Sequence, residues 1–231
     1  MVQWGQTKTV EESRMRMEDR KRVILLWRWI FFIVGLMVMS LGISMTIKGQ
    51  RLGIAPWDVL HVGLYQNLGL TIGSWGIITG FIIILSTSAV MRQWPKIGTW
   101  INMVLIGLFI DLFNWLLPDF STLWGQVIIY VLGVIVLSYG VGIYVSPNMG
   151  AGPRDSLMLI LGKKWGFSIR VVRTGIEITV AVLGWLLGGP VGVGTVLIAL
   201  LSGQIIQIAL PQCRKLLLKI IKEDDEQILL K

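Results

Sequence analysis

The sequence predicts an all-α fold, a polytopic transmembrane helical bundle of about six spans, laid out as two inverted three-span repeats that each carry a short Gly-x-x-Pro-x-Asp half-helix. Three observations carry that expectation. Of 231 residues, 54% are hydrophobic and only 15% charged, against roughly a quarter charged in soluble domains. Runs such as VILLWRWIFFIVGLMVMSLGISMTI from Val23 and VIIYVLGVIVLSYGVGIYV from Val127 supply the roughly 20 apolar residues needed to cross a bilayer. The octapeptide GIAPWDVL from Gly53 returns nearly unchanged as GAGPRDSL from Gly150.

The elements follow in chain order. A cytoplasmic tail, residues 1–22, carries the mixed-charge stretch EESRMRMEDRKR. Spans are predicted over residues 23–47, 71–91, 97–117, 123–146, 168–187 and 191–210. Helices are forced there, because backbone groups in hydrocarbon must be satisfied within their own segment. The first span is longer than the roughly 7 to 15 apolar residues of a secretion signal and lacks an A-x-A cleavage pattern, so it is expected to be retained. Two short helices, 56–68 and 153–165, are too brief to cross unaided. Each opens with a Pro, which suits the first helical position, and carries an Asp two residues later, where the helix dipole favours an anion. Repeat 1 then covers residues 23–118 and repeat 2 covers 119–211, leaving a second cytoplasmic tail at 212–231.

Lysine and arginine set the expected orientation. With both termini in the cytoplasm, Arg20, Lys21, Arg22, Arg92, Lys96, Lys163, Lys164, Arg214 and Lys215 fall at the inner face, and only Lys48 and Arg51 fall outside. Tryptophans, Trp57 among them, sit near the predicted span ends, where an amphipathic ring favours the interface. A rival count makes each short helix a full span, giving eight spans and parallel repeats, but it moves every later basic loop to the wrong side. The net charge of +8 is explained by this asymmetry and asks for no nucleic acid. The single cysteine, Cys213, cannot form an internal disulfide.

The duplication extends past the octapeptides. Gly35, Ser40 and Gly42 match Gly133, Ser138 and Gly140; Gly53, Pro56 and Asp58 match Gly150, Pro153 and Asp155; Thr71 and Ile72 match Ser168 and Ile169; and GTWINMVLIG from Gly98 parallels GTVLIALLSG from Gly194. Three spans per half require the second half to enter the membrane in the opposite sense, an architecture that recurs in secondary transporters. These paired Gly-x-x-Pro-x-Asp elements inside three-span repeats resemble the YitT/YczE-type bacterial integral membrane proteins, in particular the YczE-like branch. The resemblance covers Val23 to Pro211 and implies a bacterial plasma-membrane protein; it supplies no catalytic residue.

Ionisable residues inside the apolar segments are costly and therefore mark candidate sites. Arg173 and Glu177 are four apart and share a helix face, so they are expected to pair, either lining a central polar pathway with Asp58 and Asp155 or locking two helices together. Asp58 and Asp155 have a second reading as helix-end carboxylates that satisfy first-turn N–H groups. Asp111 lies inside the third span. Arg154 occupies the repeat position of Trp57, so the two half-helix ends cannot bind alike. His61, the lone histidine, is a candidate proton gate or a plain interfacial surface residue.

No Walker A loop or H-E-x-x-H motif is present, and one histidine and one cysteine cannot build a zinc or thiol site, so the sequence predicts no enzyme, cofactor or metal. The expected partners are the lipid bilayer, a small polar substrate, and a cytosolic protein drawn to the basic inner surface. The leading expectation is a gradient-driven transporter or permease of a small polar molecule; the alternative is a membrane-embedded regulator or scaffold.

Overall fold

A computed structural model describes residues 2–150 and 152–221, without the side chains of residues 2–17 or of Asp155, Ser156, Leu159, Lys163, Trp165, Ile169 and Arg170. The described chain is helical throughout: α1 (Val2–Lys48), α2 (Pro56–Leu68), α3 (Ile72–Met91), α4 (Ile97–Leu116), α5 (Leu123–Val145), α6 (Pro153–Trp165), α7 (Ile169–Leu186) and α8 (Val193–Ile221), with one 3₁₀ turn at Gln50–Leu52. Five helices are long and apolar enough to cross a membrane: Glu18–Lys48, Ile72–Met91, Ile97–Leu116, Leu123–Val145 and Val193–Ile221. The protein is a multi-pass membrane protein. Arg170, Arg173 and Glu177 give α7 a more polar character than these five.

Local chemistry sets the helix ends. Thr71, Thr122 and Ser168 cap α3, α5 and α7, each hydroxyl accepting a hydrogen bond from the backbone N–H three residues on. The two short helices start at Pro56 and Pro153 and end at glycines with positive φ, Gly69 and Gly166, where a side chain would be strained. Helix α8 runs through Pro211, and its last turns bury Leu217, Leu218 and Ile221 against Phe31 of α1.

The centre of the bundle is the α1/α5 seam. Gly35 and Gly42 on α1 and Gly49 just past its end recur every seventh residue, and Gly133 and Gly140 do the same on α5. Gly35 meets the backbone of Tyr144, Gly42 that of Leu137, and Gly49 that of Gln126 and Tyr130, so the two helices run antiparallel at backbone contact. Gly140 meets Met39, and Gly133 meets Thr46. Close approach of this kind maximises dispersion contact where no hydrophobic effect operates between helices.

Around this seam α4 packs on α1 and α8 on α5, while α2 lies against α7 and α6 against α3. Helix α3 crosses α4 with Gly73 on the Gly107 carbonyl. The corresponding pair, α7 and α8, makes no more than a marginal contact among the described residues, and Gly175 and Gly203 have open space where a β-carbon would stand.

Both short helices begin inside the bundle. The chain leaves α1 at Lys48, turns back through Gly53 to Ala55, with Gly53 at positive φ, and anchors by donating the Ile54 N–H to the Pro190 carbonyl at 3.3 Å. Residues Pro56 to Val59 are buried, whereas Tyr65 and Leu68 at the far end of α2 are exposed. Asn67 Nδ2 ties that outer end to the Leu187 carbonyl at 2.6 Å. Gly152 and Pro153 at the start of α6 are likewise buried.

Candidate functional site

The starts of α2 and α6 meet at a central cavity of about 490 Å³, walled by residues from all eight helices. Most of the wall is apolar, including Ile43, Ile106, Leu137 and Ile198. Its polar residues are few: Trp57 and Asp58 of α2, Asn102 of α4, Arg154 of α6, Arg173 and Glu177 of α7, and Ser202 of α8 among them.

Asp58 is 2% exposed, and its Oδ1 accepts no hydrogen bond. Trp57 Nε1–H and Asn102 Nδ2 are also buried without an acceptor. Leaving such groups unpaired costs on the order of 1–3 kcal/mol each, more for a charged one. The Arg154 guanidinium carbon stands 4.8 Å from the centre of the Trp57 ring, within cation–π range. The two side chains that occupy the same position in the two sequence repeats are therefore in contact.

The structure brings Asp58, Arg154, Arg173 and Glu177 to one cavity. Arg173 Nε donates to Glu177 Oε1 at 2.8 Å, the pairing that their spacing predicts. The Asp155 side chain lies outside the described residues. His61 is fully buried, which corrects the reading of it as an interfacial surface residue. Its Nε2 hydrogen-bonds Thr79 Oγ1 at 2.9 Å, and its Nδ1 lies 3.9 Å from Asp58 Oδ1, behind the cavity wall. Trp57 likewise departs from the interfacial position expected of it, being 7% exposed, because the half-helix that carries it starts inside the bundle. Trp94, Trp115 and Trp124 are exposed near helix ends, as the interface preference anticipates.

Asp111 is set apart from this cluster. Its Oδ1 accepts the Gly73 N–H at 2.8 Å and its Oδ2 the Thr71 hydroxyl at 2.5 Å, so a carboxylate from α4 caps the start of α3. It borders a second cavity of about 560 Å³ with Asn114 and the Lys48–Asp119 ion pair. Asp111→Ala is expected to cost about 1–2 kcal/mol, the loss of a cap, and so to lower the melting temperature in detergent by about 2–8 °C. Ligand response at the central cavity should be unchanged by this substitution.

Asn102 and Ser202 are polar wall residues that sequence reasoning missed, and Trp57 was named only as an interfacial ring and as the repeat counterpart of Arg154. The available signal for Asn102 was a lone amide in the apolar run WINMVLIG. Residues 26–211 match the model of DUF6198, a family of unknown function. The chain belongs to this family. Relatives by sequence include the uncharacterized membrane protein YczE of Bacillus subtilis (strain 168), 50% identical over 84% of this chain and 90% of the relative. They also include an uncharacterized protein of Haemophilus influenzae, 34% identical over 77% of this chain and 81% of its own, and YyaS of Bacillus subtilis, 29% identical over 80% and 92%. No solved structure matches the chain. The YczE-type membership expected from the doubled motif is thus established, and the relatives align over 81% to 92% of their own length.

Proposed function

We propose that this family member is a gradient-driven carrier of a small polar molecule rather than an enzyme. In this reading it is built as two inverted three-span repeats in a bacterial plasma membrane, with both termini in the cytoplasm. The observation that carries the reading is the meeting of two re-entrant helix starts at one cavity, with Trp57 and Arg154 in contact and Asp58 unsaturated beside them.

Support for the inversion comes from contacts that survive exchange of the repeats. Gly42 corresponds to Gly140, and Leu137 corresponds to Met39. The Gly42–Leu137 contact therefore becomes the Gly140–Met39 contact, and both exist. Gly35 on Tyr144 likewise becomes Gly133 on Thr46. Corresponding helices that pack antiparallel in this way fit a two-fold axis across the bundle, through the Trp57–Arg154 contact.

One pair of contacts breaks the exchange, and it gives the carrier a direction. With Thr71 and Ile72 aligned to Ser168 and Ile169, Gly73, Gly76 and Gly80 of α3 correspond to Arg170, Arg173 and Glu177 of α7. In this reading Gly73 and Gly80, which meet Gly107 and Met103 of α4, let α3 and α4 close the cavity toward the face that carries Lys48, whereas α7 makes no more than a marginal contact with α8 among the described residues and leaves the cavity open toward the face that carries Lys164. By the positive-inside rule the open face is cytoplasmic, and this conformation is inward-facing.

In proteoliposomes under an imposed proton or sodium gradient, the wild-type protein should accumulate one member of a panel of small polar metabolites. Asp58→Asn should abolish that uptake while the protein still melts as a folded species. Absence of uptake across the panel by folded, oriented protein would refute the carrier. The regulator reading draws on one observation, that α1 begins at Val2 and so extends about 30 Å ahead of the apolar run that starts at Val23. Deleting residues 2–17 would abolish a scaffold function and leave uptake intact.

A further inference from the structure

We propose that the central cavity is a site for a small zwitterion carrying a protonated amine and a carboxylate, of amino-acid size; this deepens the carrier reading and rests on it. The cavity has an acceptor pole and a donor pole. Asp58 is the acceptor pole, a buried carboxylate on the cavity wall whose Oδ1 has no hydrogen bond; the nearest nitrogen of His61, at 3.9 Å, lies beyond hydrogen-bonding distance. A charge-assisted donor such as an ammonium satisfies it about twice as strongly as a neutral hydroxyl would.

The donor pole lies beside it. Trp57 Nε1 can only donate, and Asn102 Nδ2 also lacks an acceptor. Arg154 adds a cation over the same indole ring, and the starts of α2 and α6, whose first-turn N–H groups have no partner within their helices, direct their positive ends to the same space. These groups together match a carboxylate. Among the described residues the wall carries both signs, Asp58 and Glu177 together with Arg154 and Arg173. A net cation or a net anion gains at one pole only, whereas a molecule with both charges gains at each. The aliphatic side of the cavity, with Ile43, Ile106 and Leu137, takes a hydrocarbon side group and disfavours a polyol.

The test uses the full-length protein in nanodiscs and reads melting temperature against the twenty proteinogenic L-amino acids one at a time, at millimolar concentration. At least one is expected to raise the melting temperature by several degrees. Its decarboxylated amine and its deaminated acid should not; for L-leucine these are isoamylamine and 4-methylpentanoate. Trp57→Phe, which removes one donor and keeps the ring, should weaken binding about tenfold, and Asp58→Asn by more. Should Asp58→Asn fail to fold, Trp57→Phe alone decides. A null result with all twenty, as expected if ordered water alone fills the cavity, overturns the proposal, as does equal binding of the amine or the acid. Binding of a zwitterion without its uptake would sustain the site and refute the carrier; uptake of a cation or a polyol would do the reverse.

Discussion

Gly42→Leu is expected to abolish accumulation of folded protein. A β-carbon at Gly42 would fall on the backbone of Leu137, and backbone cannot rotate aside as a flexible side-chain tip can. The helices α1 and α5 would have to separate along the most extensive interface in the bundle, and the core residues Ile43, Ile47, Val134 and Leu137 that flank the seam would lose their packing with them. Overpacking in an adaptable core costs about 1–3 kcal/mol. Here the obstacle is main chain on main chain, so we expect more than about 3 kcal/mol, equivalent to a melting temperature lowered by roughly 10 °C or more. Fluorescence-detected size exclusion after detergent extraction reads the outcome directly. Gly140→Leu strikes the backbone of Met39 and should be equally damaging, because it is the same contact with the repeats exchanged. Gly175→Ala, in open space, should leave the yield unchanged. Loss at Gly42 with tolerance at Gly140 would break the equivalence of the halves and remove the support for an inverted repeat.

Much of this architecture was legible because its signals are local. A proline at the first helical position, with an Asp two residues later, placed the short helices at 56–68 and 153–165, where α2 and α6 stand. The Arg173–Glu177 pair was legible for the same reason, since four-residue spacing puts both on one helix face. What depends on distant contacts was not legible. Asp111 reads in sequence as an intramembrane charge, and no local pattern shows that it caps a helix beginning 39 residues earlier. The interfacial preference of tryptophan is a statistical rule about full spans, and it misplaces Trp57 because a half-helix delivers that ring to the middle of the bundle. His61 follows Asp58 by one turn and is drawn inward by the same helix. The exchange of Gly73, Gly76 and Gly80 for Arg170, Arg173 and Glu177 is written in the sequence, but its meaning requires the α3/α4 crossing to be seen.

That exchange leads to the second large effect, a pair of identical substitutions with opposite consequences. Gly107 of α4 and Gly203 of α8 hold the same position in the two repeats. A β-carbon at Gly107 would stand 2.5 Å from Ile77 Cγ1 and 2.6 Å from the Gly73 carbonyl oxygen, so Gly107→Leu wedges α3 from α4. At Gly203 nothing lies within 4 Å, so Gly203→Leu has room. If the tight crossing closes the cavity toward Lys48 and the loose one leaves it open toward Lys164, the wedge at Gly107 opens a second entrance. A cysteine at Ser202, on the cavity wall, reports this in a background where Cys213 is replaced by serine. With an impermeant thiol reagent, Ser202→Cys should react from the Lys164 face alone in the parent protein and in Gly203→Leu. In Gly107→Leu it should react from both faces, at least tenfold faster from the Lys48 face than in the parent, and concentrative uptake should be lost because a cavity open at both ends dissipates any gradient. The smaller Gly107→Ala serves if the leucine prevents folding, since its β-carbon already meets the same two atoms. Unchanged labelling from the Lys48 face in a folded Gly107 variant would mean that the α3/α4 crossing is not the closed gate, and the assignment of an inward-facing state would fall with it.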